Sequence, residues 1–165
     1  MKPSTLWGHV ARRVFFSFHY QYDIWRVNQI RNSHVVEGCA AAGFQDASLW
    51  EEAMRKGDAA IRRMIDNGLH NTTVTAVLIG TYTASRPYVD YEIQQSIDRG
   101  NGILGVRIHH LRDSSGYPSL PGPTPSRLVS SGYPVYDWTN AADFGRWVEQ
   151  VFQDAERRRQ YRSYF

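Results

Sequence analysis

Short apolar runs alternate with helical patterns along this chain. The clearest run spans residues 73–80, and further runs lie at residues 14–18, 103–108 and 133–138. The run at 73–80 is apolar almost throughout its second half, which is typical of a strand buried on both faces of a sheet. These four runs are predicted to be strands.

Helices are predicted between these strands from their capping residues. Asp23 is expected to cap the first helix and Asp58 the second, which Gly68 ends. Pro87 suits the first turn of a third helix and Gly100 suits its end. Strands and helices are therefore predicted to follow each other in turn.

The final helix has an extended amphipathic pattern, and Asn140 is expected to cap it. Its apolar residues recur at three- and four-residue steps and form a stripe that faces the core: Phe144, Trp147, Val148, Val151, Phe152 and Ala155. Two other segments are harder to assign. Residues 33–57 suit loops with a short strand at Val35–Val36, and residues 114–126, rich in Ser, Gly and Pro, suit an irregular loop.

Alternating strands and helices predict an α/β fold, with a parallel sheet covered by helices on both faces. A chain of 165 residues without internal repeats is the size of one domain. Its 42% hydrophobic and 21% charged residues exclude a wholly disordered protein. Ligands of such folds bind outside the carboxyl ends of the strands. The loops after Phe18 and Gly80 are therefore the candidate site.

Charge and cysteine content add little to this picture. The net charge of +3 is modest and does not by itself indicate a nucleic-acid partner. The arginines near the end suit a solvated helix end or, as an alternative, a nucleic-acid or lipid-headgroup surface: Arg157, Arg158, Arg159 and Arg162. The single cysteine, Cys39, allows no intramolecular disulfide. No run approaches the roughly 20 apolar residues of a membrane helix, so we expect a cytoplasmic protein.

The segment after the strand at 73–80 carries a candidate catalytic carboxylate. Tyr88 and Glu92 are four residues apart on the predicted third helix, so they share a face. Val89 and Ile93 lie on a neighbouring face that packs on the sheet, which places Glu92 at the core boundary. A carboxylate there is suited to stabilise positive charge that develops on a sugar. An ordinary surface glutamate is the competing interpretation.

The loop after the first strand offers weaker signals. Phe18, His19 and Tyr20 precede a helix N-terminus, a combination that suits a base and a phosphate, although simple packing also explains it. This loop lacks G-x-G-x-x-G and G-x-x-x-x-G-K-[ST], so it carries neither a standard dinucleotide fingerprint nor a P-loop. His109 and His110 are adjacent on a strand and point to opposite faces, so no metal site is predicted.

Six stretches, spread in order over residues 13 to 110, carry a resemblance to a known family. They are RVFFSFHY (13–20), RVNQIRN (26–32), DASLWE (46–51), NTTVTAVLIG (71–80), YEI (91–93) with Ser96, and GNGI (100–103). Together they resemble the TIR-like subunit of Thoeris antiphage defence, the ThsB type. That resemblance implies a single TIR-like, flavodoxin-like domain over residues 13–156, with an extension at 1–12 and a basic tail at 157–165.

The resemblance also implies a substrate and a site. TIR enzymes cleave the nicotinamide–ribose bond of NAD with a glutamate on the helix after the third strand, and Glu92 matches that glutamate. NAD is then a substrate, and no prosthetic group is implied. The family usually has Trp where this chain has Tyr88, a smaller stacking ring. The residues implied to line the nucleotide pocket are Ser17, Phe18, His19, Tyr20, Asp46, Ser48, Trp50, Arg86 and Tyr88.

A signalling role follows from the same resemblance. A phage component is expected to trigger the protein, with homo-oligomerisation on activation. The product is expected to be an ADP-ribose-derived messenger, cyclic in form, that activates a separate effector. The sequence leaves linear ADP-ribose and a conjugate open as products. It also leaves open a non-catalytic TIR-like scaffold that assembles with defence partners.

Overall fold

The computed structural model describes residues 12–33, 39–42 and 47–164, and the side chains of 39–42 and 47–49 lie outside that description. Five strands form one parallel sheet in the spatial order β2-β1-β3-β4-β5. They are β1 Arg12–Ser17, β2 Cys39–Ala42, β3 Val74–Ile79, β4 Gly102–Arg107 and β5 Val135–Asp137. Since successive strands run parallel, every crossover passes over a face of the sheet.

Helices fill these crossovers. They are α1 Tyr20–Asn32, α2 Ala47–Lys56, α3 Asp58–Leu69, α4 Pro87–Asp98, α5 Ser126–Ser130 and α6 Ala141–Arg162, with a 3-10 turn at Thr83–Ser85 before α4. This arrangement confirms the predicted α/β class with a parallel sheet flanked by helices.

Alternate side chains of β1 serve opposite faces of the sheet. Val14 and Phe16 pack in one core cluster with residues of α1 and α6. Phe15 packs in a second cluster with residues of α2 and α3. Ser17 has the same parity as Phe15 and therefore points to the same face. A polar side chain at the end of β1 is thus directed toward the helices that follow β2 and β3.

Most of the predicted elements are confirmed with small changes at their ends. The four predicted strands correspond to β1, β3, β4 and β5. Pro87 begins α4, and Gly100 follows its end with φ of 72°. Asn140 caps α6, where its Oδ1 accepts a hydrogen bond of 2.9 Å from the Asp143 backbone N–H. The predicted stripe of α6 faces the core, with Phe144 fully buried.

Two predicted caps are wrong. The first helix begins at Tyr20 with His19 at its N-cap, and Asp23 lies one turn inside, buried at 1% exposure. Asp23 is buried there in an ion pair with Arg26. The second cap is Gly57, whose φ of 99° suits glycine, and Asp58 is the first helical residue.

The segment that was hard to assign contains more regular structure than predicted. Val35–Val36 lie outside the described residues, whereas β2 occupies Cys39–Ala42 and α2 begins at Ala47. The predicted loop at 114–126 is irregular up to Ser126, where the short α5 begins. Helix α6 continues through Arg162 and so contains the terminal arginines.

Candidate active site

Glu92 lies beside the point where the strand order of the sheet reverses, between β1 and β3. The chain leaves β1 toward β2 on one side, and β3 pairs with β1 on the other. Loops that diverge in this way open a crevice at the carboxyl ends of the strands, where ligands of such folds bind. Helix α4 follows β3 and carries Glu92 at 8% exposure. The carboxyl group is therefore buried next to the ends of β1 and β3.

Buried hydroxyl groups fix Glu92 from both neighbouring strands. The Ser17 hydroxyl, fully buried at the end of β1, donates a hydrogen bond to Glu92 Oε2. The Ser96 hydroxyl donates to the Glu92 carbonyl at 2.7 Å and lies 2.7 Å from the Thr75 hydroxyl of β3. Side chain and backbone of Glu92 are each tied to a strand, which holds the carboxyl group in one orientation.

Burial dominates the charge state of Glu92. It raises the pKa of Glu92 to about 8, although the Ser17 hydrogen bond and the positive charge of Arg86 both act to lower this pKa. At pH 7 Glu92 is therefore mostly protonated in the free protein. A cation bound beside this group would favour the ionised form. The site is thus suited to pair with a positively charged ligand.

An apolar pocket borders the Glu92 carboxyl group. Its lining is mostly aromatic and aliphatic: Phe15, Phe16, Phe18, Tyr20, Trp50, Met64, Ile65 and Glu92. The cavity volume is about 40 Å³, which is room for a few water molecules. Glu92 is the one ionisable carboxyl group in this lining. Charge that develops in such a low-dielectric pocket is felt more strongly than in water.

Aromatic rings form the rim of the pocket around Trp50. Tyr20 stacks on Trp50 with ring centroids 5.9 Å apart, and Tyr88 meets Trp50 edge-on at 6.2 Å. The Arg86 guanidinium lies over the Trp50 ring, 5.0 Å from its centroid. The Tyr88 hydroxyl donates to Asp58 Oδ1 at 2.8 Å. Tyr88 therefore contacts Trp50 at the rim and does not line the pocket floor.

Two nitrogen atoms near this rim are buried without hydrogen-bond partners among the described residues: Arg86 Nη1 and His19 Nδ1. Burial lowers the pKa of His19, and the nearby charge of Arg86 lowers it further. Burial also lowers the pKa of Arg86, while the charge of Glu92 opposes that shift. A neutral imidazole and a guanidinium thus offer hydrogen-bonding capacity that the protein itself leaves unused.

The predicted site residues fall into three groups. Phe18, Tyr20, Trp50 and Glu92 line the pocket. Ser17 donates a hydrogen bond to Glu92, Arg86 and Tyr88 contact Trp50 at the rim, and His19 contacts Tyr22. Asp46 and the side chain of Ser48 lie outside what the structure describes.

Four pocket residues were not predicted: Phe15, Phe16, Met64 and Ile65. The alternation of side chains along β1 places Phe15 on one face of the sheet. Met64 and Ile65 belong to the apolar stripe of α3. Their shared pocket depends on α3 packing beside β1, which spacing within either segment does not reveal.

The two adjacent histidines do not form a metal site, and the helices do not form a membrane span, in the described part of the chain. His109 and His110 meet edge-on with ring centroids 5.4 Å apart, and His110 Nε2 lies 2.8 Å from the Trp138 carbonyl. Within residues 12–33, 39–42 and 47–164, no group of three or more His, Cys, Asp or Glu side chains is arranged to hold a metal ion. No helix in that part of the chain is long and apolar enough to cross a membrane.

A parallel sheet flanked by helices places this chain among α/β proteins, and the family comparison assigns it a TIR-like fold. The family model described as "Thoeris protein ThsB, TIR-like domain" matches residues 15–113. A protein of Bacillus cereus (strain MSX-D12), named "Putative cyclic ADP-D-ribose synthase ThsB1", is 44% identical over 149 residues, which cover 85% of this chain and 76% of that protein. The chain belongs to the Thoeris ThsB family.

Proposed function

We propose that this protein cleaves the nicotinamide–ribose bond of NAD and releases a cyclic ADP-ribose as a signal. The observation that supports this most directly is Glu92, a buried carboxyl group held beside an apolar, aromatic-rimmed pocket. The name of the Bacillus cereus relative supports the class of product. The messenger is proposed to activate a separate effector after a phage component triggers the protein.

The chemistry needs a carboxylate and no general acid. The nicotinamide ring of NAD carries a positive charge, so the C1′–N bond breaks with its electron pair going to nicotinamide, which leaves neutral. Positive charge passes to the ribose as an oxocarbenium-like state, which ionised Glu92 stabilises. An internal nucleophile of the same molecule, an adenine nitrogen or a ribose hydroxyl, then bonds to C1′ and gives up a proton. Water in that role would give ADP-ribose instead.

The identity of the product tests the proposal. Cells carrying the wild-type protein are infected with phage, and their small molecules are compared by mass spectrometry with those of uninfected cells. We expect free nicotinamide together with a product lighter than ADP-ribose by one water. Unchanged NAD and no new nucleotide in any infected culture would contradict the proposal and favour the scaffold function. ADP-ribose alone would retain the cleavage and exclude cyclisation.

The pH dependence of cleavage should report the ionisation of Glu92. The proposed step needs the carboxylate, and the pKa of Glu92 is about 8 in the free protein, so kcat/KM is expected to rise with pH and level off above about 8. The Ser17 hydrogen bond lowers this pKa. Ser17→Ala should therefore move the midpoint to higher pH.

Initial rates of nicotinamide release across pH measure this midpoint. Ser130→Ala, a change at an exposed serine of α5, is the matched control and should leave the midpoint where it is. A Ser17→Ala profile that coincides with the wild type, or one that moves to lower pH, would show that Ser17 does not set the ionisation of Glu92.

A further inference from the structure

Two tyrosine rings outside the pocket are largely exposed and contact each other. Tyr22 is 58% exposed and Tyr82 is 50% exposed. Their ring centroids are 4.7 Å apart with an angle of 52° between the planes. His19 meets Tyr22 edge-on at 4.8 Å. Large rings that pair with each other and still face solvent resemble the surfaces on which nucleic-acid bases stack.

The ring pair lies at the same edge of the sheet as Glu92. Tyr22 belongs to the first turn of α1, which follows β1, and Tyr82 belongs to the loop that follows β3. The ends of those two strands also position the active site, since Ser17 ends β1 and α4 follows β3. The two rings therefore border the crevice at the switch point.

One polar and one cationic group lie near the rings and the pocket rim, since His19 touches Tyr22 and Arg86 lies over Trp50. The charge of Arg86 acts on the pKa of Glu92 and on the pKa of His19, so Arg86 is within electrostatic reach of both. His19 in turn touches Tyr22. The buried nitrogens Arg86 Nη1 and His19 Nδ1 have no hydrogen-bond partner in the described part of the chain. A guanidinium with an unused donor is suited to the oxygens of a pyrophosphate.

We propose that the Tyr22–Tyr82 pair binds the adenine half of the dinucleotide, with its pyrophosphate directed toward Arg86 and its nicotinamide ribose toward Glu92. This inference rests on the proposed cleavage of NAD for the identity of the full ligand. The base lies on an outer face of the pair, because rings only 4.7 Å apart leave no space for a base between them. The pair thus supplies a subsite for a purine nucleotide.

Binding of ADP, which carries the adenine and the pyrophosphate but no nicotinamide, tests this subsite without any turnover. Calorimetric titration of the full chain with ADP should give a measurable Kd. Tyr22→Ala and Tyr82→Ala should each raise that Kd about 10-fold, the usual loss for removal of one stacking ring. Tyr22→Phe keeps the ring face and should leave the Kd within about 2-fold of the wild type.

Tyr164→Ala is the matched control, because Tyr164 is 82% exposed and follows the end of α6. It should bind ADP like the wild type. Equal Kd values for wild type and both alanine variants of the pair would overturn the inference, as would no binding of ADP at millimolar concentration. A loss common to Tyr164→Ala would also overturn it, since the effect would then not be local to the pair.

Cleavage assays separate this inference from the proposed function. Tyr22→Ala should raise KM for NAD about 10-fold and leave KM for nicotinamide mononucleotide unchanged, because the mononucleotide lacks the adenylate. An equal rise for both substrates would mean that Tyr22 acts through the fold and would overturn the inference. If the wild type releases no nicotinamide even from infected cells, the proposed function fails, whereas the ADP titration still decides the subsite.

Discussion

Glu92→Gln is expected to lower kcat for nicotinamide release by about 10²- to 10³-fold, the usual effect of removing one group that stabilises transition-state charge. The amide has the shape of the carboxyl group but carries no charge to offset the oxocarbenium-like state. The effect should appear mainly in kcat, because the charge develops on the sugar as nicotinamide leaves. Release of nicotinamide by the purified variant, under conditions in which the wild type is active, measures the loss.

The same substitution should leave the fold intact. Glu92 is largely protonated at neutral pH in the free protein, because its pKa is about 8, so Gln replaces one neutral group by another. The Gln carbonyl oxygen retains the acceptor that the Ser17 hydroxyl needs. We expect Tm to change by less than about 2 °C.

A matched control is Glu156→Gln on α6, where Glu156 pairs with Arg159 away from the pocket. It should leave kcat at the wild-type value. Turnover by folded Glu92→Gln at the wild-type rate would remove Glu92 from the mechanism. Loss of activity in the Glu156 control would show that the assay responds to charge in general.

Local signals made Glu92 a candidate, and the resemblance to the TIR-like family assigned it the catalytic role. Its spacing from Tyr88 and its place on the helix after a buried strand are both visible within residues 73–92. The partner Ser17 is 75 positions away, and its contact depends on β1 lying beside β3. The shared helix face predicted that Tyr88 lies near Glu92, but the Tyr88 hydroxyl reaches Asp58 on α3. Tertiary packing, which spacing does not encode, decides such partners.

The dependence on tertiary packing also explains which strands and caps were predicted from the sequence. The apolar runs of β3 and β4 are buried on both faces, so hydrophobicity alone identifies them. Strand β2 reads CAAA, and these small residues carry none of the β-branched or aromatic signal of a strand. Asp23 was misread because a capping aspartate and a buried one look alike when only the local sequence is considered. What distinguishes Asp23 is its tertiary environment.

That environment is a buried ion pair within α1, next to the loop after β4. Arg26 Nη1 lies 3.4 Å from Asp23 Oδ1, and both side chains are at most 4% exposed. Arg26 also donates to the Leu111 carbonyl at 2.8 Å and to the Tyr117 carbonyl at 3.2 Å. Gly80 lies against the pair so closely that a Cβ there would overlap the Asp23 carboxylate. Arg26 thus compensates one buried charge and satisfies two loop carbonyls.

Arg26→Met is therefore expected to destabilise the fold by about 3–5 kcal/mol, the usual cost of leaving one member of a buried pair alone. For a chain of this size that corresponds to a decrease in Tm of roughly 6–20 °C. Thermal unfolding followed by circular dichroism measures the shift. Lys56→Met is the control, because Lys56 and Glu52 form an exposed pair that contributes little. Equal losses in the two variants would contradict this account.

The charge on Asp23 should be the cause of that loss, and pH can show it. Burial already raises the pKa of Asp23, and the charge of Arg26 lowers it, so Arg26→Met should raise this pKa further. The folded variant then holds a proton that the unfolded chain releases, and its stability falls as pH rises. Its deficit against the wild type should shrink as pH falls from neutral toward the ordinary pKa range of an aspartate. Asp23→Asn combined with Arg26→Met should recover part of the lost Tm at neutral pH, since no unpaired charge is left in the core.

A deficit that is independent of pH, together with no recovery in the double variant, would assign the loss to the loop hydrogen bonds of Arg26 instead.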